Sequence, residues 1–111
     1  MDKELKFLLY STPEEDVNVN VIVKDETLWL SQSGMAELFA CTADNISVHL
    51  KNIYKEGELD QAATTEKISV VRQEGNRQVN RSLDFYTLDA IIAVGYRVNS
   101  RRATHFRIWA T

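Results

Sequence analysis

The chain has 111 residues, 44% of them apolar, which suits one domain around one core and is too little for two. No apolar run approaches the ~18 residues of a membrane-spanning helix, the N-terminus MDKELKFLLYSTPEED has no small-residue cleavage site, and the single cysteine, Cys41, has no partner for an internal disulfide. These features predict a soluble, cytoplasmic domain without structural metal or cofactor, and a net charge of −3 excludes a protein that is basic throughout.

The charge is segregated along the chain. Thirteen of the sixteen acids precede Lys67, whereas eight of the thirteen Lys and Arg, including all seven Arg, lie from Lys67 onward. Such a division predicts one basic face on an acidic domain, unless folding intermixes the two parts.

After an acidic lead that includes Pro13, Val17, Val19, Val21 and Val23 alternate with other residues, the period of a half-buried strand. A polar turn at residues 24–26 and a return strand at 27–30 complete a predicted β-hairpin, with Leu28 and Leu30 on one face and Trp29 on the other. Ser31 is a good N-cap for a helix whose buried stripe is Met35, Leu38 and Phe39, with Ala36 small enough for a close crossing. Thr42 caps a second helix, predicted over residues 43–56, whose stripe is Ile46, Leu50 and Ile53, and Gly57 supplies the left-handed residue that ends it. Two short amphipathic helices about a tight turn form the pattern of a helix-turn-helix, which lays its second helix in the major groove of DNA.

Residues 67–71 and 78–86 alternate around Glu74, Gly75, Asn76 and Arg77, predicting a two-stranded wing. A third helix, LDAIIAVGYRV, is expected to start at a Thr87 cap and to weaken near Gly95, with a basic connector at 99–102. Phe106 and Trp109 then mark a further helix that reaches the last residue uncapped, as in a fragment of a longer protein. The fold class expected is α+β: a winged helix-turn-helix-like single domain over residues 1–111, with an N-terminal β-hairpin and C-terminal helices.

With Ile46, Leu50 and Ile53 inward, the outer side of the second helix presents Asp44, Asn45, Ser47, Val48, Lys51 and Asn52, with His49 on a flank. Asn pairs bidentately with adenine, Ser bonds several base edges, and Val48 suits a thymine methyl. Thr42, Asn45, Ser47, Val48 and His49 therefore have the best reach to bases, Asn52 shares their face, and Lys51, able to reach guanine or phosphate, and Lys55 are better placed along the backbone. Asp44 repels phosphate; it suits a cytosine amino group or, better, the role of a helix N-terminal anion. Arg72, Arg77 and Arg81 of the wing suit the minor groove or phosphates, or serve only solubility. Arg97, Arg101, Arg102, His105 and Arg107 form a second basic cluster that fits phosphate and carboxylate equally. No enzyme is expected. Neither His49 nor His105 has a nucleophile and carboxylate in a recognisable pattern, Cys41 falls where a turn packs a small residue, and no glycine-rich phosphate loop is present.

The segment ISVHLKNIYKEGEL resembles the recognition helix of bacterial winged-helix repressors. Together with TLWLSQSGMAELFACTADN before it and FYTLDAIIAVGYRVNSRRATHFRIWAT at the end, the chain from Val17 onward closely resembles the N-terminal part of the RhuM family of bacterial virulence-associated proteins, with GYRVNSRRATHFRIWAT as the most specific stretch. The closing FRIWAT is also similar, more weakly, to the end of Bro-N type phage and viral DNA-binding domains. The family resemblance implies DNA binding and a chain that continues past Ala110, and related modules stand ahead of Fic-type domains; it carries over no catalytic residues. The function expected is that of a sequence-specific duplex DNA-binding domain of the transcriptional-regulator type, working as a homodimer on paired half-sites. The competing expectation is a protein-interaction module that docks a C-terminal effector or toxin-like partner through the basic cluster.

Overall fold

The structure is a computed structural model that describes residues 6–12, 17–98 and 101–110. In chain order the elements are β1 (Lys6–Thr12), β2 (Val17–Lys24), β3 (Thr27–Ser31), α1 (Gln32–Phe39), α2 (Ala43–Lys55), α3 (Gln61–Thr64), β4 (Thr65–Glu74), β5 (Arg77–Thr87), α4 (Leu88–Val98) and α5 (Arg101–Ala110). All five strands join one antiparallel sheet in the order β1-β2-β3-β5-β4. The expected wing is thus an arm of a continuous sheet, because Trp29, Leu30 and Ser31 of β3 pair with Thr87, Tyr86 and Phe85 of β5. β1 was hidden in the polar lead.

Pleating sorts the strand side chains onto two faces. Tyr10, Val19, Val21, Leu30 and Tyr86 join the main core with α1, α2, α4 and α5, so these helices cover one face of the sheet. Leu28 packs there too, while Trp29 points the other way, as its alternation predicts. On the far face Ile22, Trp29, Ile68 and Phe85 form a second, smaller cluster. The indole Nε1 of Trp29 donates to the Lys24 carbonyl oxygen at 2.9 Å, and the Lys24 ammonium lies 5.2 Å above the indole while it pairs with Asp25 and Glu66. Hydrogen bonding to those two carboxylates raises the Lys24 pKa.

Two hairpin turns among the described residues solve one geometric problem in different ways. Asp25 and Glu26 both take positive φ, 52° and 61°, the pattern of a type I′ turn. At the β4–β5 tip Gly75 alone is left-handed, φ 64°, as the first central residue of a II′ turn requires. β4 and β5 run farther toward that tip than the apolar alternation indicates, since the outer rungs, Arg72↔Val79 to Glu74↔Arg77, are held by backbone pairing.

Three further expectations are corrected. α4 does not weaken at Gly95 but continues to Val98, because the bare α-carbon is what lets α4 approach its neighbours: a Cβ there would sit 3.3 Å from Cζ of Phe39 and 3.4 Å from Cβ of Ala103. Thr87 stands before α4 without capping it. It is the last rung of β5, paired with Trp29, and its hydroxyl is buried with no hydrogen-bond partner. Arg101 and Arg102, expected in a connector, belong to α5, and Asn99 and Ser100 fall outside the described residues. α5 anchors itself through Phe106, 1% exposed, edge-on to Tyr10 at 5.3 Å and to Phe39 at 6.5 Å. Among the described residues no helix is long and apolar enough to cross a membrane.

Candidate nucleic-acid interface

The α1–α2 pair is built almost as the spacing predicts. The Ser31 hydroxyl accepts the Gly34 amide at 3.1 Å to open α1, and the Thr42 hydroxyl accepts the Asn45 amide at 3.1 Å to open α2. Between the helices Ala40 takes the left-handed conformation, φ 57° and ψ 47°, returning its amide to Ala36 and reversing the chain within three residues. Gln32 spans that turn, its side-chain amide donating to the Ala43 carbonyl at 2.8 Å, so the first turn of α2 is tied to the first turn of α1. Cys41 is half-buried against the core, and burial raises its thiol pKa. α2 closes with a double reversal around Gly57, φ 75°: the Gly57 amide bonds the Tyr54 carbonyl and the Glu58 amide the Ile53 carbonyl.

What fixes the roll of α2 is its inner stripe. Ile46 and Ile53 are fully buried and Leu50 nearly so, each contributing roughly 1.5–3 kcal/mol. Tyr54 adds a polar tie, its hydroxyl lying 3.0 Å from that of Thr64 and 3.1 Å from that of Thr65, which links α2 to the start of β4. With this roll Thr42, Asp44, Asn45, Val48, Lys51, Asn52 and Lys55 all face solvent, and Ser47 and His49 are half-buried at the margins. Val48 is 53% exposed and serves no packing role. The side chains of Lys51 and Lys55 form no ion pair among the described residues.

The acids beside the end of α2 are compensated. One Arg97 nitrogen, Nη2, donates to Oε1 of Glu56 and to Oε1 of Glu58, each at 2.9 Å, joining the end of α4 to the end of α2. The guanidinium holds the Glu56 carboxyl below its ordinary pKa, and the two carboxylates raise that of Arg97. Sequence could not reveal this clasp, whose partners lie 41 and 39 residues apart.

The remaining predicted residues separate into groups. Arg72, Arg77 and Arg81 do lie together on the arm, but their register (Arg72↔Val79, Glu74↔Arg77, Val70↔Arg81) puts them on the sheet face of Ile68 and Leu83, opposite the helices. Arg81 is engaged bidentately by Glu74, at 2.6 and 2.8 Å, which lowers the Glu74 pKa. The helix-side face of the same arm carries Lys67, Ser69, Val71, Gln73, Gln78, Asn80 and Ser82, none of which the sequence reading selected. Arg102 donates to the Glu37 carbonyl of α1 at 3.2 Å, Arg107 stacks on Tyr96 with 4.1 Å between guanidinium carbon and ring centroid, and Arg101 is exposed. The second basic cluster is therefore spread around α5. No grouping of His, Cys, Asp and Glu among the described residues could hold a metal ion.

Residues 63–111 match the family model described as Virulence protein RhuM family. The match takes in β4, β5, α4 and α5 and begins after α2 has ended. No curated protein and no solved structure matches the chain.

Proposed function

We propose that the domain is a winged helix-turn-helix-like module that binds duplex DNA through the outer face of α2, a helix that lies outside the stretch, residues 63–111, matching the Virulence protein RhuM family model. The supporting observation is the solvent-facing stripe of Asn45, Val48, Lys51, Asn52 and Lys55 on a helix whose roll is locked from within. Such a stripe offers amide groups to adenine, a methyl-sized contact to thymine and two ammonium groups to phosphate, and the Thr42 cap directs the first turn of α2 at the groove. Arg97 favours the same reading, since by pairing with Glu56 and Glu58 it reduces the repulsion those acids would exert on a phosphate backbone.

In this arrangement Ser47 and His49 border the readers, while Arg72 and Arg77, on the sheet face away from α2, lie outside the contact. Two copies of α2 in a homodimer would address two half-sites. The module binds rather than catalyses. The test is selection of duplexes from a random library, followed by anisotropy titration at several salt concentrations. The triple variant N45A/S47A/K51A is expected to lose at least about tenfold in affinity for the selected duplex, and the parent affinity to fall steeply with salt. Unchanged affinity in the triple variant would remove α2 from the interface.

A further inference from the structure

The two C-terminal helices leave an apolar groove that the fold does not use. At the crossing of α4 and α5 the bare Gly95 allows contact with Ala103, and one turn away the helices diverge around about 360 Å³ lined by Ile92, Tyr96, Thr104, Arg107 and Ile108. Tyr96 is 65% exposed and Ile108 69%. Large apolar side chains converging from two helices onto one groove mark a surface that another apolar surface covers.

The charges around the groove identify that surface. α5 carries Arg101, Arg102, His105 and Arg107 and no acid, and the one acid on α4, Asp89, lies two turns before Tyr96. Among the described residues neither Arg101 nor Arg107 has a carboxylate partner, whereas nearby Arg97 is already clasped by Glu56 and Glu58. Arg107 is held in place from below by the Tyr96 ring and by its bond to the Thr104 hydroxyl at 3.3 Å, and stacking of this kind leaves guanidinium N–H groups free at the edge of the plane. Arg101 shares the helical stripe of Thr104 and Ile108, at the opposite end from Arg107. A phosphate backbone would use the two cations but gain nothing from Ile92, Tyr96 and Ile108 between them. A helix with an apolar stripe edged by Asp or Glu uses both.

We propose that the α4–α5 groove docks an amphipathic protein helix whose apolar stripe covers Tyr96 and Ile108 and whose flanking carboxylates pair with Arg107 and Arg101. The inference stands independently of DNA binding by α2.

The test uses the whole chain with designed helical peptides of about 15 residues. One bears Leu at positions i, i+3, i+4 and i+7 with Glu on both flanks, and its twin has Lys in place of every Glu. Anisotropy is expected to show the Glu peptide binding at least about tenfold tighter than the Lys twin, with amide NMR shifts centred on residues 92–108. Ile108→Ser should abolish most of that binding, and Arg107→Glu should invert the preference toward the Lys twin. Both positions are solvent-accessible, and circular dichroism confirms each variant's fold; the charge inversion remains decisive if Ile108→Ser melts early. The N45A/S47A/K51A variant should bind the Glu peptide unchanged. Equal binding of the two peptides, indifference to Arg107→Glu, or shifts at residues 92–108 caused by duplex DNA and not by the peptide would overturn the proposal.

Discussion

Ala40 holds a conformation that its side chain disfavours, so removing that side chain should stabilise the domain. Its φ of 57° and ψ of 47° put Cβ against the following carbonyl, a conformation costing an L-residue about 1–2 kcal/mol. Ala40→Gly relieves that cost and gives back about 0.4–1 kcal/mol through the greater freedom of the unfolded chain. Ala40 is exposed, so no core contact is lost, and its amide bond to Ala36 is a backbone bond that survives. The net expectation is a gain of about 0.5–1 kcal/mol, a rise in melting temperature of about 2–4 °C for a domain of this size. Gly57→Ala is the mirror experiment: φ is 75°, nothing lies within 4 Å of the new Cβ, and a loss of similar size is expected from backbone strain alone. Thermal and urea unfolding followed by circular dichroism, with an unchanged urea slope, measures both. If Ala40→Gly destabilised, or the two substitutions shifted stability in the same direction, the assignment of strain to this turn would be wrong.

Gly95→Val should cost about 1–3 kcal/mol or more by overpacking, because Cβ alone already approaches Phe39 and Ala103 to 3.3 and 3.4 Å; a melting temperature equal to the parent's would contradict the close crossing of α4 and α5. The Arg97 clasp predicts a pH signature. Glu56 has a folded-state pKa below its ordinary value of 4.5, so its contribution is complete above about that pH and is lost as pH falls through the depressed value. The stability difference between the parent and Arg97→Gln, measured by urea titration, should therefore be constant near neutrality and shrink below about pH 4.5; a difference unchanged down to pH 3 would dismiss the ion pairs as contributors.

The two helices at the candidate interface were legible because their information is local. A 3.6-residue stripe, two hydroxyl caps and a terminal glycine specify α1 and α2 and the outward side of α2 without reference to the rest of the chain. The sheet was legible only in part. Alternation shows that Arg72 and Arg81 share a face, but not which face the helices occupy, since that depends on Tyr86 and Leu30 being drawn to the main core from different strands. β1 escaped for a related reason: its seven residues sit inside a charged lead and are specified by pairing with β2. Thr87 misled because a residue at a helix start can already be engaged as the last rung of a strand. The exposed Tyr96 and Ile108 were invisible too, because in a one-dimensional pattern an apolar residue on a helix reads as core.

The clasp at Arg97 also sets a thermodynamic linkage. A single guanidinium in the last turn of α4, one residue after Tyr96 of the groove wall, holds two carboxylates beside the end of α2. Any anion that draws Arg97 away releases Glu56 and Glu58 next to the helix proposed to contact DNA, and would weaken such a contact by Coulomb repulsion. Reciprocity requires that a phosphate backbone on α2, which favours the clasped carboxylates, oppose the same anion by the same factor. If α2 binds DNA as proposed, the phosphate backbone and a competing anion at Arg97 would thus oppose each other in degree, without any change of fold.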